Sequence, residues 1–417
     1  MPLLEDSSQY DKQYKRFLIF LVIASACFVY AAVPAYHVMP LVLLSGVMLI
    51  VSEALLLRLS IISYRINKEE LSIGTKILVW TTIIYNICHI LYGCLLDDNY
   101  VALSYWGNSI YQPSFLLPFG LLLGLRYENF FKALKYVTLY SLFFVISFLT
   151  SSYPLVNIGL GFLFVFAYFL YIPKKWRVVI LAVGGLCLAV SFLYGARAAA
   201  VRTLAGVVIC VVTMASAWKN KKIRMAVFLL GIITPLLMVR AFVTNGFSIF
   251  EYAESNKLFM MDSEKEGEGD TRTFLYQEVF DDLTNNDAWI FGKGINGKYY
   301  SDYFASKHTE GGDHEERIQS EVGFLNILLK GGQIQTLLYI ILLALAVYNS
   351  FFRSNSKFML ILGLILLTHF VLLFMEEYIK YDLYNILIWM LIGMALSPSC
   401  LEKDDDYFEE QLNTVFN

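Results

Sequence analysis

The chain has 417 residues, 58% of them hydrophobic and only 16% charged, with a formal net charge of −3. Soluble domains carry roughly a quarter of their residues as Asp, Glu, Lys or Arg, so a disordered chain, a nucleic-acid binder and an ordinary cytosolic enzyme are excluded. A mean hydropathy of +0.58 points to a membrane protein, and where the 32 Lys and Arg sit says more than their sum.

A helix needs about 20 apolar residues to cross the bilayer core. That window predicts an all-α polytopic membrane protein of about twelve spans, at 17–36, 39–57, 77–96, 112–125, 136–151, 155–172, 178–195, 202–218, 225–243, 322–350, 358–375 and 382–398. The first run is long and is followed at once by another, so no cleaved signal is expected. The fourth is short. The tenth contains Lys330, Gly331 and Gly332 and is expected to break there or to begin among the headgroups. The boundaries give helices one to nine over 1–243, a large outside loop with short helices over 244–321, helices ten to twelve over 322–398, and a cytoplasmic tail over 399–417.

Positive charge tests this topology independently. With Lys12, Lys15 and Arg16 inside, the even-numbered connections also lie inside. They carry Arg58, Arg65, Lys68 and Lys76, then Arg126, Lys132 and Lys135, then Lys174, Lys175 and Arg177. The short outside connections near 37, 97–111 and 152–154 contain no Lys or Arg. Both termini are therefore expected in the cytoplasm.

Cys27, Cys88, Cys187 and Cys210 lie in apolar runs and no CxxC pair exists, so neither a disulfide framework nor a zinc site is expected. His89 and His369 read as hydrogen-bonded packing residues. Glu53 reads as a proton-path group or a snorkelling one. His308 and His314 lack a recognised metal spacing, so no metal and no cofactor is expected.

The connection Tyr194-Gly-Ala-Arg197-Ala-Ala-Ala-Val-Arg202 holds two arginines on the side where the charge rule disfavours them. Arginine stays charged and its fork of donors matches phosphate oxygens. The competing reading is snorkelling toward lipid headgroups. Since the short outside loops near 37, 97–111 and 152–154 lack positive charge, a functional role is preferred.

The outside segment 244–321 is the only sizeable hydrophilic stretch, with an acidic run at Asp262, Glu264, Glu266, Glu268 and Asp270. Within it, Arg272 opens a stretch in which Leu275, Val279 and Leu283 recur at helical spacing. Gly292-Lys-Gly-Ile-Asn-Gly297 lacks the following Ser or Thr of a nucleotide loop and reads as a tight turn. Glu321 lies where the loop re-enters the membrane; it suits a general base, or else helix capping by Ser320 or Glu321. The tail 402–417, with Asp404, Asp405 and Asp406, reads as a solvated or disordered end.

The order of these pieces resembles the Wzy/O-antigen ligase superfamily of bacterial polysaccharide enzymes. The matching elements are Gly195-Ala-Arg197-Ala, Thr271-Arg-Thr-Phe-Leu-Tyr276, Phe291-Gly-Lys-Gly294, and Glu321-Val-Gly-Phe-Leu325 followed by Gly332, all within roughly 178–350. The resemblance implies a GT-C-like membrane glycosyltransferase of the bacterial inner membrane, with its active site facing the periplasm. Its donor and acceptor would be undecaprenyl-diphosphate-linked oligosaccharides, and a chain-length regulator protein is implied as a partner. Ligases of the superfamily usually carry a His where this chain has Glu321, which favours a polymerase over a ligase. The roles that follow are diphosphate binding for Arg197, Arg202 and Arg272, catalysis for Glu321 and Arg272, and glycan contact for Trp289, Tyr299 and Tyr300. A transporter of lipid-linked sugar is the reading from another class, but the related halves it should show are not evident.

Overall fold

The computed structural model describes residues 7–31, 39–96, 115–142, 161–193, 197–245, 271–295, 297–301, 315–317, 320–375 and 379–417. About 83% of the described residues are helical. In chain order the helices are α1 (Ser7–Ala31), α2 (Met39–Asn67), α3 (Ile73–Leu96), α4 (Pro118–Gly124), α5 (Glu128–Leu142), α6 (Phe162–Ala167), α7 (Lys174–Leu193), α8 (Arg197–Thr213), α9 (Lys221–Asn245), α10 (Thr271–Asn285), α11 (Gly323–Phe352), α12 (Lys357–Leu373), α13 (Leu383–Leu396), α14 (Pro398–Leu401) and α15 (Asp405–Phe416). A short antiparallel hairpin, β1 (Tyr299–Ser301) with β2 (Glu315–Arg317), pairs Tyr299 with Arg317 and Tyr300 with Glu316.

Among the described residues, five stretches are long and apolar enough to cross a membrane: Leu43–Glu70, Ile73–Gly93, Lys174–Phe192, Lys221–Arg240 and Gly323–Phe352. The architecture is that of an all-α membrane protein. Burial sorts the helices. α13 is apolar all round and all 14 of its residues are buried, as expected of a helix surrounded by protein. α9 does the reverse: Leu229, Leu230, Ile233, Leu236 and Leu237 form an exposed apolar stripe, the surface that a lipid environment covers.

Two expectations are corrected at the helix ends. The sequence places Arg202 in a connection, yet α8 already begins at Arg197. The run of alanines that looked like a permissive loop is the best helix-forming composition available, so the helix starts five residues early. The tail is likewise not a free end. α15 buries Phe408, Leu412 and Phe416, spaced four apart on one face, and Asp404 caps it by accepting from the Tyr407 N–H. Phe408 stacks on Phe358 at 4.2 Å between ring centres, and Lys135 donates to the Val415 carbonyl at 2.6 Å.

On the opposite face, the described part of the large loop folds on its own small core. Leu275, Tyr276, Val279 and Leu283 of α10 pack with Tyr299, Val322, Leu325 and Leu329. The Tyr276 hydroxyl donates to the Phe374 carbonyl at 2.7 Å, which fixes the loop to the end of α12.

Candidate functional site

The site begins with a break in α11. Gly332 has φ +66° and ψ −167° inside that helix, a conformation essentially reserved for glycine. A break frees carbonyls on one side and N–H groups on the other, and in an apolar surrounding these must be re-paired. The turn at 288–294 re-pairs them. Lys293 N–H donates to the Leu329 carbonyl at 2.7 Å and Gly294 N–H to the Lys330 carbonyl at 3.0 Å, while Gln333 N–H donates to the Trp289 carbonyl at 2.8 Å. The Tyr85 hydroxyl takes the Gly331 carbonyl at 2.8 Å. A Cβ at Gly292 (φ +69°) would collide with the Lys330 carbonyl, and one at Gly332 with the Ile290 carbonyl. The three-glycine turn is therefore a structured turn whose backbone completes a broken membrane helix.

Glu321 lies half-buried just ahead of α11, eleven residues before the break. Its segment is clamped: Asn326 Oδ1 accepts from Ser320 N–H at 2.7 Å while its Nδ2 donates to the Ser320 carbonyl at 2.7 Å. Ser320 Oγ accepts from Val322 N–H at 3.1 Å just ahead of α11. Glu321, Arg317 and Glu278 all lie near Tyr299. Burial pushes the Tyr299 phenol up to about 12, opposed by Arg317 and reinforced by Glu278 and Glu321.

Arg202 is 2% exposed and directed into the protein, which removes the snorkelling alternative. Its guanidinium lies over the Tyr384 ring at 5.7 Å. A relay of polar rings follows. Tyr384 Oη lies 3.5 Å from His369 Nδ1, and His369 Nε2 is 2.7 Å from Tyr339 Oη. Arg197 and Arg272 open α8 and α10, but their side chains lie outside the described residues.

The aromatic residues divide. Tyr299 is enclosed in the core of the loop at 1% exposure, in a packing position. Tyr300 is half-buried on the opposite face of its strand. Trp289 packs on Phe280 at 5.2 Å and donates its ring N–H to Thr284 at 3.1 Å.

Beneath the break is a cavity of about 810 Å³, part of it open to solvent, lined by residues of α3, α11 and α13 and by Ile295 of the turn. Its polar lining includes Asn86, His89, Asn326, Lys330, Gln335 and Asn385, and its aromatic wall includes Tyr339 and Trp389. Gln335 donates to Asn86 Oδ1 at 2.8 Å. His89, expected to be hydrogen-bonded, is 8% exposed with no partner for Nδ1 among the described residues. Polar groups at this depth in a membrane protein mark function by default. Sequence reasoning noted Lys330 only as a sign of a break; the convergence of α3 on α11 has no local signature.

No family model matches the chain, and neither a curated protein nor a solved structure matches it.

Proposed function

We propose that the chain is a polysaccharide polymerase of about twelve spans in a bacterial inner membrane, with both termini cytoplasmic and a GT-C-like plan. It transfers a growing glycan from undecaprenyl diphosphate to a hydroxyl of the next lipid-linked repeat unit on the outer face. The observation that carries this reading is the seating of the hydrophilic loop on the broken helix α11. The turn at 288–294 closes the break beside a polar cavity, and the Glu321 segment leads into the same helix. Asn326 belongs to both, since it clamps Ser320 and lines the cavity.

In this reading the bond between sugar C1 and the phosphate oxygen breaks, and its electron pair leaves with the diphosphate. Arg197, Arg202 and Arg272 bind that diphosphate and stabilise its growing charge. The acceptor oxygen bonds to C1, and Glu321 accepts its proton. Arg202 lies one aromatic ring from the polar relay that ends at the cavity, and Tyr300 and Trp289 remain as glycan contacts on the loop. A chain-length regulator is the expected protein partner.

A gel of surface polysaccharide from a strain lacking this chain tests the proposal. Polymerase loss collapses the ladder to core plus one repeat. Loss of that single repeat as well would indicate a ligase, and lipid-linked units held on the inner leaflet would indicate a flippase.

A further inference from the structure

The cavity beside the break holds an ammonium group with no counter-charge among the described residues. Lys330 is on the broken turn of α11, with its carbonyl fixed by Gly294 N–H at 3.0 Å, so the root of its side chain is held in place. Its side chain lines the cavity, and it makes no hydrogen bond or ion pair with the described residues. None of the described lining residues is Asp or Glu. The nearby Asp382 is committed: its carboxylate caps α13 through Asn385 N–H at 2.8 Å and lies 3.7 Å from Lys380. Lys330 is half-buried, and an ammonium partly withdrawn from bulk water without a counter-charge is unfavourable. Such an arrangement is stable in function when the ligand brings the missing charge.

The remaining lining describes the rest of the ligand. The amides of Asn86, Gln335 and Asn385 both donate and accept hydrogen bonds, and His89, more than nine-tenths buried, presents an Nδ1 without a partner among the described residues. Trp389 and Tyr339, 5.2 Å apart, supply an apolar wall. Hydroxyl-matching amides beside aromatic faces suit a sugar ring. A lone lysine is a point charge, whereas a diphosphate carries more charge than it can balance and is better matched by the guanidinium fork. The charge count selects a single carboxylate.

We propose that this cavity binds an acidic sugar of the glycan substrate, with its carboxylate on Lys330 and its ring against Trp389 and Tyr339. This rests on the polymerase reading for the identity of the substrate, not for the existence of the site. The test uses the full-length protein in detergent at neutral pH, with D-glucuronate, D-galacturonate, D-glucose and inorganic pyrophosphate at millimolar concentration. The expected result is an upward shift in Tm of about 1–2 °C with a uronate and none with glucose. The shift disappears in Lys330→Met, which keeps the side-chain length and removes the charge, and returns in part in Lys330→Arg. The proposal is overturned if no uronate gives a Lys330-dependent shift, or if pyrophosphate gives one. Failure here leaves the polysaccharide gel unchanged, whereas failure of the polymerase reading changes the gel and leaves this binding intact.

Discussion

Helices α11 and α13 are both built from apolar sequence and are neighbours in the centre of the protein, yet they are used in opposite ways. α13 is continuous and wholly buried, and its one described polar cap, Asp382, is satisfied within the first turn. α11 is interrupted at Gly332, borrows backbone partners from a loop more than 30 residues away in sequence, and places Lys330 in a cavity. An uninterrupted helix is the low-energy solution in an apolar environment. The departure in α11 thus marks where the molecule gives up local stability to build a polar site.

The largest expected effect comes from closing the gap between the two helices in behaviour. Gly332→Ala forces a side chain into a glycine-only conformation, costing about 1–3 kcal/mol. The collision with the Ile290 carbonyl also strains the bonds from Lys293, Gly294 and Gln333, each worth about 1 kcal/mol. Loss of monodisperse protein on size-exclusion chromatography, or release of the loop to protease, is the expected readout. Unchanged protein would mean that the turn and the break are not coupled.

On the sealed side, Phe408→Ala removes a ring stacked between α15 and Phe358 and is expected to cost about 3–5 kcal/mol. Thermal unfolding should register this while uronate binding at the cavity survives. If binding fell as well, the two regions would not be separable. A smaller effect of opposite sign is expected at Lys330: without ligand, Lys330→Met should raise stability by about 1 kcal/mol, because an uncompensated charge is replaced by an apolar chain of similar volume. A drop in ligand-free Tm would show that the lysine has a counter-charge in the resting protein.

The smallest effect is at the hairpin. Lys298 lies 2.9 Å from Glu316, and that hydrogen bond and charge hold the Glu316 carboxyl below its usual range. A depressed carboxylate contributes stability above its unfolded-state range, and the contribution is lost as pH falls through the folded value. For an exposed pair the gain is slight. The protection factors of the β1–β2 amides should fall modestly between neutral and acid pH, and Lys298→Met should remove that dependence.

Much of this was legible from the chain. Apolar runs of bilayer length marked the helices, Leu275, Val279 and Leu283 gave the amphipathic face of α10, and Lys330-Gly331-Gly332 signalled the interruption of α11. What was hidden depends on contacts between distant residues. Asn86 and Gln335, joined by a hydrogen bond, are far apart in sequence, so no periodicity links them. Arg202 is hidden as a helix residue because the small residues before it suit a permissive loop as well as a helix. The face formed by Phe408, Leu412 and Phe416 was masked by the acidic run before it. For Arg197 and Arg272 the structure gives the helices and not the side chains.

The central claim is tested most directly by reconstitution. The purified chain in proteoliposomes, supplied with lipid-linked repeat units, should produce glycans of increasing length and release undecaprenyl diphosphate. Arg202→Met should slow that by about 10²–10³-fold, the usual loss of a charge-stabilising donor. Substrate that crosses the bilayer without elongation, or elongation at an undiminished rate in Arg202→Met, would contradict the account.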